Sequence, residues 1–155
     1  MSQDKPLTLL RKVYKNPTPT VDAILIFYNR IVLIKRKNEP FGWALPGGFV
    51  DYGESCETAC LREIKEEVNL DLTPFEITQF KCYSEPDRDP RGHNISIVFY
   101  NITLNAFTDE YVKQLRSGDD AKAVRLFSIS DLPENIAFDH RKIIDDFIDF
   151  KNLPQ

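Results

Sequence analysis

A chain of 155 residues with 42% hydrophobic side chains has the length of one ordinary domain and enough apolar surface to bury a core, which excludes intrinsic disorder. Twenty basic against 24 acidic residues leave a net charge of -4 and a pI near 5.2, so no global positive field exists to hold DNA or RNA. The longest unbroken apolar run, Ala23 to Tyr28, is far shorter than the roughly 20 residues of a membrane-crossing helix, and no sustained apolar leader occupies residues 1–17. In chain order, Pro6, Pro17 and Pro19 predict an extended arm over residues 1–19, ahead of a single domain over 20–155. Thr20–Phe27 and Ile31–Ile34 are rich in β-branched and aromatic residues and read as a hairpin broken at Asn29-Arg30. Trp43–Leu45 is a short third strand, and Pro46-Gly47-Gly48 opens a loop over 46–54.

Ser55 is placed as an N-cap for a stretch free of Gly and Pro that reaches Asn69, with Leu61, Ile64 and Val68 at helical spacing. Strands are predicted over Phe75–Tyr83, Ile95–Leu104 and Val124–Ile129, a short helix over Asp109–Arg116, and a C-terminal helix over Arg141–Phe150. Hairpin-linked strands with covering helices make an α+β fold. Cys56, Cys60 and Cys82 are an odd count without a CxxC pair, which fits reduced thiols in a cytoplasmic protein.

The chemistry concentrates on the first long helix. With Glu63 as angular zero, Glu67 lies near about 40° and Glu66 near about -60°, while Leu61, Ile64 and Val68 fall at roughly 100 to 160°. Three like charges on one face repel, and a hard divalent cation such as Mg²⁺ or Mn²⁺ compensates them through carboxylate, carbonyl and water oxygens. Arg62 stands four residues before Glu66 and is placed to orient a carboxylate. An acidic helix face alone is most often just solvated surface. Here Gly47-Gly48 permits close backbone approach and Glu54 brings another carboxylate to the helix start, so loop and helix together read as a metal cage.

Gly48, then Glu54, then Arg62-Glu63-Ile64-Lys65-Glu66-Glu67-Val68-Asn69-Leu70 resembles the Nudix box G-x5-E-x7-R-E-U-x-E-E-x-G-U, with Asn69 standing where the family has Gly. The resemblance implies a Nudix α/β/α sandwich with a central mixed β-sheet, acting on a nucleoside diphosphate linked to another moiety. It implies metal at the Gly47 carbonyl, Glu63 and Glu67, with Glu66 as a further ligand or holder of metal-bound water and with Glu54 and Arg62 supporting the site. Asn69 ends the helix in a position that needs left-handed backbone, where Asn is the most tolerant residue after Gly.

Pro86, sixteen residues after Leu70, and the segment Ser84–His93 are similar to ADP-ribose pyrophosphatases of that family. The resemblance therefore implies cleavage of ADP-ribose to AMP and ribose 5-phosphate. NADH or another nucleotide sugar is the rival substrate. A non-catalytic ADP-ribose sensor is the rival from another class, disfavoured because sensors commonly have an eroded box and an added DNA-binding domain. Arg88 and Arg91 read two ways, as phosphate or ribose ligands or as one half of local Asp-Arg pairs that order the loop. Trp43 and Phe138 are read as adenine platforms or core aromatics, and Arg36 as a phosphate contact or solvated surface. Asp119 and Asp120 follow Gly118 in a loop, with Asp120 taken as a substrate contact. His93 and His140 read as structural hydrogen-bonders. Cys60 and Cys56 read as small packed side chains. The arm is the ground for a possible homodimer through subunit exchange.

Overall fold

The computed structural model describes residues 14–101, 108–118 and 121–153. Along the chain these form β1 (Thr18–Ile24), β2 (Ile26–Phe27), β3 (Arg30–Arg36), β4 (Trp43–Ala44), β5 (Gly47–Phe49), α1 (Cys56–Val68), β6 (Ile77–Tyr83), β7 (Asn94–Asn101), α2 (Thr108–Gln114), β8 (Ala121–Ser128) and α3 (His140–Lys151). One sheet runs β5-β1-β7-β6 and is mixed, since β1 and β7 are parallel and the other pairs antiparallel. In the other, β3 pairs with β8, β2 and β4. The chain crosses from the first sheet to the second at Leu25 and returns over Leu45-Pro46.

Period-two alternation divides the strands between two apolar layers. Val21, Ala23, Leu25, Phe27, Val32 and Ile34 pack with Ala59, Cys60, Ile64 and Val68 of α1. Ile24, Ile31, Leu33 and Val98 pack with Ile143, Ile144, Phe147 and Ile148 of α3. A helix covers each layer, which is the expected α/β/α sandwich. Among the described residues no helix is long and apolar enough to cross a membrane.

Several boundaries differ from the sequence reading for identifiable reasons. The expected loop over 46–54 contains β5, because Gly47 and Gly48 have no side chain to keep their backbone off β1 and α1. A methyl group at Gly47 would collide with the Val21 carbonyl, and one at Gly48 with the Glu63 carboxylate. The first strand starts at Thr18, whose N–H donates to the His93 carbonyl at 3.0 Å. The hairpin turn is made by Tyr28 and Asn29, both with positive φ (48° and 59°), one residue earlier than expected. Pro74–Glu76 form a 3-10 turn, so the strand expected from Phe75 begins at Ile77. The expected end of the strand at Leu104 lies outside the described residues, as does most of the arm.

The first helix has the anticipated ends. Ser55 Oγ accepts the Thr58 N–H at 3.1 Å, and Asn69 takes φ 62°, donating its N–H to the Lys65 carbonyl and its side-chain amide to the Gln114 carbonyl. In urea unfolding, Asn69→Ala should cost about 1–2 kcal/mol, because it forces a Cβ-bearing residue without a local hydrogen bond into left-handed backbone. Asn69→Gly should stay within about 0.5 kcal/mol of wild type.

Candidate functional site

The carboxylates of α1 are organised by Arg62. Its guanidinium donates to Glu54 (2.6 and 3.2 Å), to Glu63 (2.8 Å), to Glu66 (3.3 Å) and to the Phe49 carbonyl (3.0 Å), and lies 3.7 Å from Asp51. These bonds, Glu54 foremost, raise Arg62 further above its ordinary value and hold Glu54 below the usual carboxylate range. One cation thus ties the helix to the loop before it.

Glu67 is different. It is 8% exposed, and the Gly47 N–H donates to its Oε2 at 2.9 Å. Burial pushes its carboxyl up to about 8; the Gly47 amide opposes this, while the negative charges of Glu63 and Asp22 reinforce it. Its position at the edge of the carboxylate stripe explains the burial: Ile64 and Val68, both fully buried, draw that side of the helix into the core.

Glu63 and Glu67 form one wall of a cavity of about 350 Å³. Arg36, Lys37, Arg88 and Arg91 line the same cavity, so carboxylates and cationic side chains share its walls. The Arg36 guanidinium sits 4.7 Å from the Phe138 ring centroid, Arg91 sits 5.0 Å from the same ring, and Arg91 is 5.2 Å from the Phe49 ring. Arg36 also donates to the Pro40 and Glu39 carbonyls, and burial together with the charge of Arg91 lowers its pKa. Arg91 is held by Asp89, whose own carboxyl is pushed up by burial but brought down to about 2 by hydrogen bonds from Arg91 and Asn94. Arg88 is buried in a bidentate pair with Asp139, at 3.0 and 2.7 Å. The anticipated local Asp-Arg pair exists for Arg91, whereas Arg88 pairs with Asp139, 51 residues away, and both arginines still face the cavity.

The floor of the cavity is polar. Asp22 accepts a short hydrogen bond from the Ser96 hydroxyl and lies 3.4 Å from His140 Nε2, and the Leu45 N–H donates to His140 Nδ1 at 3.0 Å. Of the eight buried polar or charged residues described, all but Asn94 and Ser96 line this one cavity. Buried polar groups cost free energy, so their concentration in one place marks the working region.

The NUDIX domain family model matches residues 16–147. The chain belongs to the Nudix family. It is 48% identical over 143 residues to an ADP-ribose pyrophosphatase of Methanocaldococcus jannaschii, covering 91% of this chain and 79% of that protein. It is 31% identical over 140 residues to the ADPR responsive transcriptional repressor NtrR of Acinetobacter baylyi, covering 84% of this chain and 53% of the repressor. Among solved structures, the bifunctional NMN adenylyltransferase/ADP ribose pyrophosphatase of Francisella tularensis, complexed with AMP and a manganese ion, superposes with a TM-score of 0.74 at 30% identity, over 91% of this chain and 44% of that one. The chain therefore spans about half or less of the repressor and of the bifunctional enzyme.

Of the box residues, the structure gathers Gly47, Gly48, Glu63 and Glu67 on the cavity, with Glu54 and Arg62 behind them. Glu66 is exposed and reaches Arg62 without lining the cavity. Among the described residues no three His, Cys, Asp or Glu side chains are already closed into a ligand cage; Arg62 and the Gly47 amide hold Glu63 and Glu67 instead. The donors nevertheless fit a hard divalent cation: all are oxygens, Glu67 is buried with the Gly47 N–H as a donor to it, and only glycine at position 48 fits against the Glu63 carboxylate.

Phe138, Arg36, Arg88 and Arg91 share the cavity, whereas Trp43 does not: it is buried on the α3 side, edge-on to Phe127 at 4.8 Å. Asp119 and Asp120 lie outside the described residues. Sequence reasoning gave Asp22 no role and did not pair Asp139 with Arg88. The available signal for Asp22 was an acidic residue between Val21 and Ala23 in a predicted strand.

Because folding raises Glu67 from 4.5 to about 8, the folded state favours its protonated form. The resulting stability is fully present below about pH 4.5 and is lost as pH rises through about 8. In metal-free buffer the urea midpoint of wild type should fall across that window, and Glu67→Gln should flatten the fall and unfold at higher urea near pH 8.

Proposed function

We propose that this Nudix protein is a divalent-cation-dependent hydrolase of ADP-ribose: water adds to one phosphorus, the bridging P–O bond breaks, and AMP and ribose 5-phosphate leave. The observation that carries this reading is the single cavity lined both by Glu63 and Glu67 and by Arg36, Arg88 and Arg91. A diphosphate needs its charge neutralised on both sides, by a cation on carboxylates and by guanidinium groups. The 48% sequence identity to the Methanocaldococcus ADP-ribose pyrophosphatase, over 91% of this chain and 79% of that protein, supports the same substrate.

Glu63, Glu67 and the Gly47 carbonyl would hold Mg²⁺ or Mn²⁺, with Glu66 and Glu54 as supporting carboxylates. When bound, the cation neutralises diphosphate charge and lowers the pKa of a coordinated water. The remaining work falls to the protein. Arg62 fixes Glu63 and Glu54 by bonds of 2.8 and 2.6 Å, so these carboxylates need no reordering when substrate arrives. Phe138 and Asp89 hold the Arg91 guanidinium at the cavity, where its N–H groups receive phosphate or ribose oxygens. Arg36 is positioned likewise by Phe138 and the Pro40 carbonyl. Phe138 is the aromatic placed for the nucleoside or ribose end.

The likeness to the Acinetobacter repressor favours a second reading, binding of ADP-ribose without turnover. A hydrolysis assay with Mg²⁺ or Mn²⁺ separates the two. The expected result is stoichiometric AMP and ribose 5-phosphate, abolished by chelator, with Glu67→Gln slower by orders of magnitude. Tight binding with no products selects the sensor, and no turnover of any nucleoside diphosphate derivative overturns the enzyme reading. Arg91→Ala should raise KM for ADP-ribose by roughly tenfold with a smaller change in kcat, as expected for one lost charge-assisted bond.

A further inference from the structure

Asp22 is a carboxylate outside the Nudix box, yet its Oδ1 would be only 2.6 Å from a Cβ added at Gly47. Only glycine at position 47 lets the two backbones and this carboxylate meet. The side chain is 9% exposed, on a strand whose flanking residues Val21 and Ala23 are fully or almost fully buried. A charged residue in that setting costs desolvation free energy, so the structure must use it.

Its neighbours show how it is held. His140 Nδ1 accepts the Leu45 N–H, which commits the Nδ1 lone pair and places the ring proton on Nε2, facing Asp22 Oδ1 at 3.4 Å. The Ser96 hydroxyl is the other partner and donates to the second carboxylate oxygen. Both oxygens of Asp22 are thus held in place, one by Ser96 and one facing His140. Asparagine in the same place would meet Ser96 with less desolvation, so what the carboxylate adds is charge.

The bend beside it is tied residue by residue. Leu45 N–H goes to His140, the Pro46 carbonyl accepts the Ala23 N–H at 2.8 Å, and Gly47 N–H goes to Glu67 at 2.9 Å. Asp22 and His140 thus brace one side of the turn that Glu67 braces from the other.

We propose that Asp22, oriented by His140 and Ser96, is a positioning residue for the divalent-cation site: with His140 it holds the Leu45–Gly47 bend, and it adds a carboxylate to the cavity floor beside Glu67. The inference rests on the cation part of the proposed function and is independent of which substrate is cleaved. Its test is Mn²⁺ binding to the metal-free protein, read by electron paramagnetic resonance without substrate, beside urea unfolding in chelator.

Asp22→Asn should weaken Mn²⁺ binding about 10- to 100-fold, the usual cost of losing a group behind the ligands, while the metal-free protein unfolds at no lower urea than wild type. Ser96→Ala, which removes the orienting hydroxyl, should weaken Mn²⁺ binding severalfold in the same direction and provides the reading should Asp22→Asn not fold. Asp145→Asn removes an equal charge from the exposed face of α3 and should leave the affinity unchanged. Wild-type Mn²⁺ affinity in Asp22→Asn, or a loss equalled by Asp145→Asn, overturns the proposal, as does a purely structural pattern of lowered stability with unchanged affinity. A wild type that binds Mn²⁺ but leaves ADP-ribose intact would refute the substrate assignment and leave this inference standing.

Discussion

The contact between Glu67 and the Gly47 amide joins the helix to the glycine bend across twenty residues, and the rest of the site is arranged around it. A carboxylate in that position is unfavourable by itself: burial, Glu63 and Asp22 all oppose its ionisation. It stays because Ile64 and Val68, three residues before and one after, are fully buried and fix the rotation of α1. Core packing offsets this electrostatic cost. This is the pattern expected where a fold holds a group ready for a charged ligand.

Two opposite charge sets face one cavity, and each has partners of its own. Arg62 gathers Glu54, Glu63 and Glu66 on one side; Asp89 takes Arg91, Asp139 takes Arg88, and backbone carbonyls take Arg36 on the other. The rings of Phe138 and Phe49 separate and orient the guanidinium groups. Phe138 itself takes φ 56°, an uncommon conformation for a bulky residue, and neighbouring bonds enforce it: Ala137 N–H to the Trp43 carbonyl, Asp139 to Arg88 and His140 to Leu45. A ligand that carries negative charge meets donors already in place.

How much of this was legible in the sequence depended on whether spacing or three-dimensional pairing carries the information. The helix and its Ser55 and Asn69 ends follow from periodicity and capping chemistry and appear as read, while the carboxylate stripe divides, with Glu63 and Glu67 on the cavity and Glu66 exposed beside Arg62. The two covering helices and the strand-rich middle are visible for the same reason. The strand Gly47–Phe49 was not legible, because glycine has low strand preference and its pairing here depends on what it lacks. The buried role of Trp43 was equally hidden, since an aromatic at a short strand reads alike as core or platform until Phe127 is seen against it. Asp22, Asp89 and Asp139 serve through partners 118, 2 and 51 residues away, and only the shortest of these separations leaves a local trace.

The location of the cavity follows from the sheets. Its walls come from β1 and β5 of one sheet and from Ile34 and Arg36 of β3 in the other, and the Leu45–Gly47 bend is where the chain passes between them. Backbone groups at such a crossing leave the regular ladder of one sheet before entering the next, and each must find another partner. Here the partners are side chains from elsewhere: His140 at the start of α3 and Glu67 near the end of α1. The two helices that cover opposite faces of the sandwich thus meet at one turn, each through a side chain with its own acid-base chemistry. A polar seam that the topology makes unavoidable has become the place where the chain concentrates its buried charge, and this explains why the site lies between the sheets and not on either outer face.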